Sequence, residues 1–223
     1  MPHRFRDRRE AGKELAEQLA RYAHEPDVIV LGLPRGGVPV AYEVAAALSV
    51  PLDVFVVRKL GVPGHEEYAM GAVAGGGIRV INEDVIRDLR IPPDAVERVE
   101  RAERAEIERR EVAYRGGAPA PPLAGRVVIL VDDGLATGST MLAAVAAVRT
   151  QQPGRVVVAT PVASMEACDA VRREADDCVC VSVPEPFYGV GLWYLDFTQT
   201  TDEEVQRLLA TARAARRPAV AHP

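Results

Sequence analysis

Short apolar runs bounded by turn residues alternate along the chain with segments of helical period. VIVLGL at Val28–Leu33 precedes a helical pattern over Val38–Leu48, LDVFVV follows at Leu52–Val57, and IRVIN at Ile78–Asn82 leads into a helix over Glu83–Leu89. After a long charged stretch come RVVILVDD at Arg126–Asp133, a helix over Gly138–Thr150, RVVVATPV at Arg155–Val162, a helix over Met165–Ala175 and CVCVSV at Cys178–Val183. Runs that are apolar on consecutive residues suit strands covered on both faces, as in a parallel sheet; a half-exposed antiparallel strand would alternate. The pattern predicts a doubly wound α/β fold.

Two segments break the rhythm. Pro92–Arg115 opens on a helix start and pairs Glu97 with Arg101, Glu100 with Arg104, Glu106 with Arg110 and Glu111 with Arg115 in the favourable i,i+4 order. It reads as a solvated helix with a thin apolar stripe of Val96, Val99, Ile107 and Tyr114. GGAPAPPLAG at Gly116–Gly125 is a flexible connector, Thr201 with Glu204 is a capping box, and Arg213–Pro223 reads as a mobile tail.

Composition narrows the class. With 223 residues, 48% hydrophobic and 26% charged, the chain can bury roughly 70 to 75% of its unfolded surface, which excludes disordered and fibrous classes. The longest apolar run is eight residues, Met141–Val148, well short of the ~20 that a membrane span needs, and the N-terminus is charged; a cytoplasmic protein is expected. A net charge of -5 argues against a whole-protein grip on nucleic acid. Cys168, Cys178 and Cys180 lack Cys-x2-Cys spacing and lie in or beside apolar segments, so they read as packed core thiols. His3, His24 and His222 read as surface residues.

The densest chemical signal is VVILVDDGLATGST, Val127–Thr140: an apolar strand, two adjacent carboxylates, then a small-residue turn entering a helix. In an open α/β sheet the ligand crevice lies beyond the carboxyl ends of the strands, where Asp132 and Asp133 project. Consecutive carboxylates accept both hydroxyls of a vicinal diol through charge-assisted hydrogen bonds. Ala136–Thr140 then offers backbone N–H groups at a helix N-terminus, no bulk at Gly138, and the hydroxyls of Thr137, Ser139 and Thr140, which suits a phosphate dianion. Turn formation and helix capping alone do not account for two acids, Gly138 and three hydroxyls together. A Walker B strand is dismissed because no G-x-x-x-x-G-K-[ST] loop exists; Gly12-Lys13 sits in a helical pattern, and no G-x-G-x-x-G follows the first strand.

The segment resembles the phosphoribosyl pyrophosphate (PRPP) binding motif of type I phosphoribosyltransferases. That resemblance implies a mostly parallel five-stranded sheet with a small hood or lid subdomain, in a single domain over residues 1–212: core 26–90 and 126–185, hood about 58–78, 92–116 and 186–200. A family sheet order of 3-2-1-4-5 makes the strands before Arg35 and Asp132 neighbours. Pro34, Arg35, Gly36 and Gly37, in LPRGGVPVA, match the family's pyrophosphate loop, where glycines admit the anion and Arg35 supplies a bidentate cation. VVRKLGVPGHEEYAMGAV, Val56–Val73, is similar to the closing loop of orotate phosphoribosyltransferases; Arg58 and Lys59 at a strand end carry over as contacts to the leaving pyrophosphate, whereas His65 does so only weakly because the loop spacing differs. Residues after the last core strand often stack on the acceptor base in this family, making Phe187 and Tyr188 acceptor candidates; for Trp193 and Tyr194 core packing is at least as good a reading.

The implied activity is transfer of the 5-phosphoribosyl group from PRPP to a nitrogenous base or similar nucleophile, with release of pyrophosphate, as in nucleotide salvage. Mg2+ would be held mainly by PRPP oxygens and water, with no all-protein cage. Where 6-oxopurine members carry an acid this chain has Ala136, which disfavours hypoxanthine or guanine; adenine-specific members share Leu-Ala-Thr-Gly with Leu135–Gly138, but the base stays unnamed. Two other readings stay open: a PRPP-binding regulator with little or no turnover, and a domain acting on another phosphorylated ribose. Neither nucleic acid nor membrane is expected as a partner, and a homodimer is left open.

Overall fold

The computed structural model describes residues 4–216, apart from the Glu67 side chain. His3, His222 and the part of the expected tail from Arg217 onward lie outside the described residues. The helices and strands follow one another as α1 (Arg8–Gln18), β1 (Val28–Gly32), α2 (Gly37–Leu48), β2 (Leu52–Val54), β3 (Val57–Val62), β4 (His65–Ala74), β5 (Arg79–Ile81), α3 (Glu83–Asp88), α4 (Pro93–Arg115), β6 (Val127–Val131), α5 (Ser139–Arg149), β7 (Arg155–Val162), α6 (Met165–Glu174), β8 (Asp177–Ser182) and α7 (Asp202–Ala215).

The unbroken apolar runs build a five-stranded sheet in the order β2-β1-β6-β7-β8, with every neighbouring pair parallel. Its central strands are buried on both faces, since Val28, Ile29, Val30 and Leu31 of β1 and Val128–Val131 of β6 are all inaccessible. One face packs under α1, α2, α4 and α7 and the other under α5 and α6, giving two apolar layers divided by the sheet. The long charged N-terminal run enters this scheme as α1, capped by Asp7, whose carboxylate accepts from the Glu10 N–H.

Several boundaries differ from the sequence reading. Ile78–Asn82 does not join the parallel sheet beyond the strand of Leu52; its core, β5, pairs antiparallel with β4, and β3-β4-β5 form a separate three-stranded sheet. LDVFVV divides: β2 ends at Val54 and β3 starts at Val57. Arg58 and Lys59 therefore sit inside a hairpin strand, not at the end of a core strand, and the expected loop is mostly β4. The apolar period misses this because two short strands of different sheets abut in one hydrophobic run.

The helix over Pro93–Arg115 is not fully solvated. Its apolar stripe is buried or half-buried against β3 and α7, and Tyr114 donates to the Asp202 carboxylate at 2.6 Å. The pairs Glu100–Arg104, Glu106–Arg110 and Glu111–Arg115 close at 2.8, 2.6 and 2.5 Å, whereas Glu97 and Arg101 make no ion pair among the described residues. Arg213–Ala215, expected in the tail, form the last turn of α7. No helix among the described residues is long and apolar enough to cross a membrane.

Candidate active site

β1 and β6 pair in parallel, Gly32 opposite Val131, so the chain leaves both strands at the same carboxyl end of the sheet. The Leu33 N–H donates to the Val131 carbonyl at 2.9 Å, tying the two exits together. The turn after β1 has no room for a side chain at Gly36 or Gly37. A Cβ at Gly36 would collide with the Asp133 carboxylate, and one at Gly37 would lie 2.6 Å from the Val131 carbonyl oxygen. The Pro34–Arg35 peptide is cis. The two turns picked out in the sequence thus meet, and their glycines are what lets them.

Both acids are poorly exposed. Asp132 Oδ1 accepts from the Asp133 N–H at 2.9 Å, and Asp133 Oδ2 accepts from Arg8 Nε at 2.8 Å. Burial, then the neighbouring Asp133 charge, pushes the Asp132 carboxyl well above the usual range; burial raises Asp133 too, against the pull of Arg8. Arg8 is itself held, donating from Nη1 to the Thr198 carbonyl at 2.8 Å with its guanidinium 4.0 Å from the Phe197 ring centroid. Tyr194 donates to the Asp133 carbonyl at 2.5 Å, and burial pushes its phenol above the usual range.

The following turn is open. Ala136, Thr137, Ser139 and Thr140 are exposed, and Gly138 is buried at φ 72°, a left-handed conformation that suits glycine. Gly138 offers no capping side chain; the Ser139 N–H reaches Thr137 Oγ1 at 3.4 Å, and the next N–H groups of the first turn of α5 have no capping side chain. Thr137 Oγ1 and Ser139 Oγ lie 3.1 Å apart, and Ser164 Oγ donates to the Ala136 carbonyl at 2.7 Å, fixing the turn against the start of α6.

The three-stranded sheet supplies the opposite wall. A cleft of about 610 Å³ is lined by Pro34 from the first turn, Thr140 from α5, Arg58 and Lys59 from β3, and Glu103 and Arg110 from α4. Arg58 Nε is 2.6 Å from Glu103 Oε2. A second cavity of about 610 Å³, between the small sheet and α5, shares Lys59 and includes Ser139. Lys59 therefore borders both.

With this geometry in place, the comparison with known proteins is direct: the family model for the phosphoribosyl transferase domain matches residues 5–195. The chain belongs to the phosphoribosyl transferase family. A protein named "Putative phosphoribosyl transferase Rv0571c" from Mycobacterium tuberculosis is 46% identical over 208 residues, covering 93% of this chain and 47% of that protein, so the chain spans about half the length of the curated relative. The crystal structure of TT1426 from Thermus thermophilus has 47% identity and a TM-score of 0.85, covering 93% of this chain and 98% of that one.

Not every site residue expected from the sequence lines the first cleft. Arg35, Gly36, Gly37, Asp132, Asp133, Ala136, Thr137, Gly138 and Ser139 do not line it; from their two turns Pro34 and Thr140 do. His65 is exposed at the start of β4 and does not line it. Phe187 packs instead against the cluster of Phe5, Ala11, Val162 and Tyr194, while Tyr188 is 78% exposed and lines neither wall. The acceptor assignment to these two residues gains no geometric support, because the loop carrying them is tied back to the N-terminus: the Phe5 N–H donates to the Trp193 carbonyl and the Leu195 N–H to the Phe5 carbonyl.

Two residues went unnoticed in the sequence. Arg8 is one of several arginines in RFRDRRE, and nothing local marks it as the partner of an acid 125 positions away. Glu103 sits among alternating charges on α4, where any glutamate reads as a helix-surface partner. For both, the signal is tertiary.

Proposed function

We propose that this protein transfers the 5-phosphoribosyl group from PRPP to a nitrogenous acceptor, releasing pyrophosphate. The observation that carries the reading is the meeting of three features at the carboxyl end of the parallel sheet, the Pro34–Gly37 turn, the Asp132–Asp133 pair and the start of α5, with Arg58 and Lys59 of the small sheet across a cleft that Pro34 and Thr140 line from the other side. The 5-phosphate takes the N–H groups and hydroxyls of Thr137–Thr140, and Asp132 and Asp133 accept the ribose hydroxyls. Arg35, Arg58 and Lys59 offset the charge that develops on the departing pyrophosphate. The acid pair also offsets positive charge on the ribose as its C1–O bond breaks.

Mg2+ suits this donor set. Asp132 is a half-buried carboxylate whose one hydrogen-bond partner among the described residues is a backbone N–H, so it has capacity for a hard cation carried in on diphosphate oxygens. The ion would supply charge neutralisation of the pyrophosphate, with most of its ligands from PRPP and water.

The test is pyrophosphate release from PRPP and Mg2+ across a panel of nitrogenous bases and amines, with Lys59→Ala alongside. The reading predicts turnover with at least one acceptor, and for Lys59→Ala a kcat loss of about 100-fold with PRPP affinity changed only a few-fold, as expected for a group that acts mainly in the transition state. Equal losses in both would refute that role for Lys59. One observation favours a second reading, a PRPP-binding regulator: Glu103 already holds Arg58, one of the cations assigned to the leaving pyrophosphate. Binding of PRPP without turnover on any acceptor would decide for it.

A further inference from the structure

Cys168, Cys178 and Cys180, read from the sequence as packed core thiols, converge on one another. Cys178 and Cys180 are two apart on the edge strand β8 and so project from the same face of the sheet. α6 lays its buried Cys168 on that face. The sulfurs of Cys168 and Cys180 are 3.0 Å apart, those of Cys178 and Cys180 3.8 Å, and all three lie within 4.8 Å of one another.

We propose that these three residues form a thiolate site for a thiophilic d10 cation, zinc(II) or copper(I). The spacing fits: with metal–sulfur bonds of about 2.3 Å, tetrahedral angles place ligand sulfurs about 3.8 Å apart, so shifts of under ~1 Å bring the three to one ion. All three donors are soft, which selects copper(I) or zinc(II) over magnesium or calcium. A third sulfur within ligand range is what a simple disulfide pair would leave unused. Access is available at the sheet edge, since Cys178 and Cys180 are half-buried and only Cys168 is fully enclosed. Arg172, one turn beyond Cys168 on α6, lies in electrostatic reach of all three sulfurs and offsets the negative charge of the loaded site. Loading exchanges three S–H bonds for three metal–sulfur bonds and releases three protons, so affinity rises with pH. Copper(I) is satisfied by three thiolates, whereas zinc(II) keeps a fourth position for water or an incoming ligand. Cys-x2-Cys spacing is absent because the ligands come from one strand face and a helix rather than from a knuckle.

The experiment uses reduced, metal-stripped protein under anaerobic conditions, titrated separately with zinc(II) and copper(I) in competition with a chromophoric chelator, with bound metal counted after desalting. The expected result is one ion per chain, an affinity that rises with pH, and a loss of more than about 100-fold in Cys178→Ser and in Cys180→Ser, whose half-buried positions tolerate the change. Folding of each variant is checked by circular dichroism. A measurement on the unaltered protein stands beside them: alkylation followed by mass spectrometry should modify Cys178 and Cys180 without metal and spare both once metal is bound. The two metal arms decide which ion is preferred. Equal metal retention by the Cys178→Ser/Cys180→Ser double variant, no stoichiometric retention of either ion, or unchanged alkylation of the loaded protein would overturn the proposal.

Discussion

At the scale of single residues, Asp132 carries an opposition between folding and binding. Its carboxyl is held above the usual range by burial and by Asp133, so between its unfolded value near 4 and that raised value the native state holds more protons than the unfolded one. Stability of the ligand-free protein therefore falls as pH rises through that window. Asp132→Asn removes the penalty. Its Tm at pH 7 should exceed that of the unaltered protein, by roughly 2–4 °C for each kcal/mol relieved, and the gap should close as pH approaches 4, while PRPP binding weakens. Thermal scans from pH 4 to 8 check this, and a lower Tm at pH 7 would mean that Asp132 is a structural anchor rather than a ligand-binding group. The acid pair was legible in the sequence because two carboxylates after an apolar strand have few structural uses. Arg8 and Glu103 were not, since their partners are set by the packing of α1 and α4.

At the scale of elements, a buried ionic cluster ties the C-terminal end of α4 to the core beside its apolar stripe. Arg115, at the end of α4, donates from Nε to Asp53 Oδ2 at 3.2 Å, from Nη2 to the Val54 carbonyl at 2.9 Å and from Nη1 to Glu111 at 2.5 Å. Arg213 of α7 approaches Asp53 at 3.6 Å. The Arg115 and Asp53 side chains are only 6% and 7% exposed. Asp53→Ala leaves the Arg115 guanidinium buried with one charge partner fewer, and should cost about 3–5 kcal/mol of unfolding free energy in denaturant titrations; a change below ~1 kcal/mol would show that the cluster contributes little. A charged residue inside LDVFVV hints at such a partner, but Arg115 lies 62 positions later in the chain. The same apolar run conceals the division between β2 and β3. Hydrophobic period reports burial, and burial is equal in a parallel core strand and in the inner face of an antiparallel hairpin. For that reason the parallel sheet could be read in advance and the three-stranded one could not.

At the scale of the whole molecule, the carboxyl end of the parallel sheet meets a cover built from the small sheet and α4. The five-stranded sheet fixes the Pro34–Gly37 turn beside Asp132 and Asp133 through the register of β1 and β6, and the small sheet with α4 brings Arg58 and Lys59 to the other side of a cleft of about 610 Å³. The most direct test is a calorimetric titration of PRPP with Mg2+ into the unaltered protein and into the Asp132→Asn/Asp133→Asn double variant, with circular dichroism of both. The unaltered protein should bind one PRPP per chain, and the double variant, still folded, should bind at least about 100-fold more weakly, since two charge-assisted contacts of about 1.5–3 kcal/mol each are lost. An unaltered protein that shows no heat at millimolar PRPP, or a double variant that binds it normally, would contradict the account.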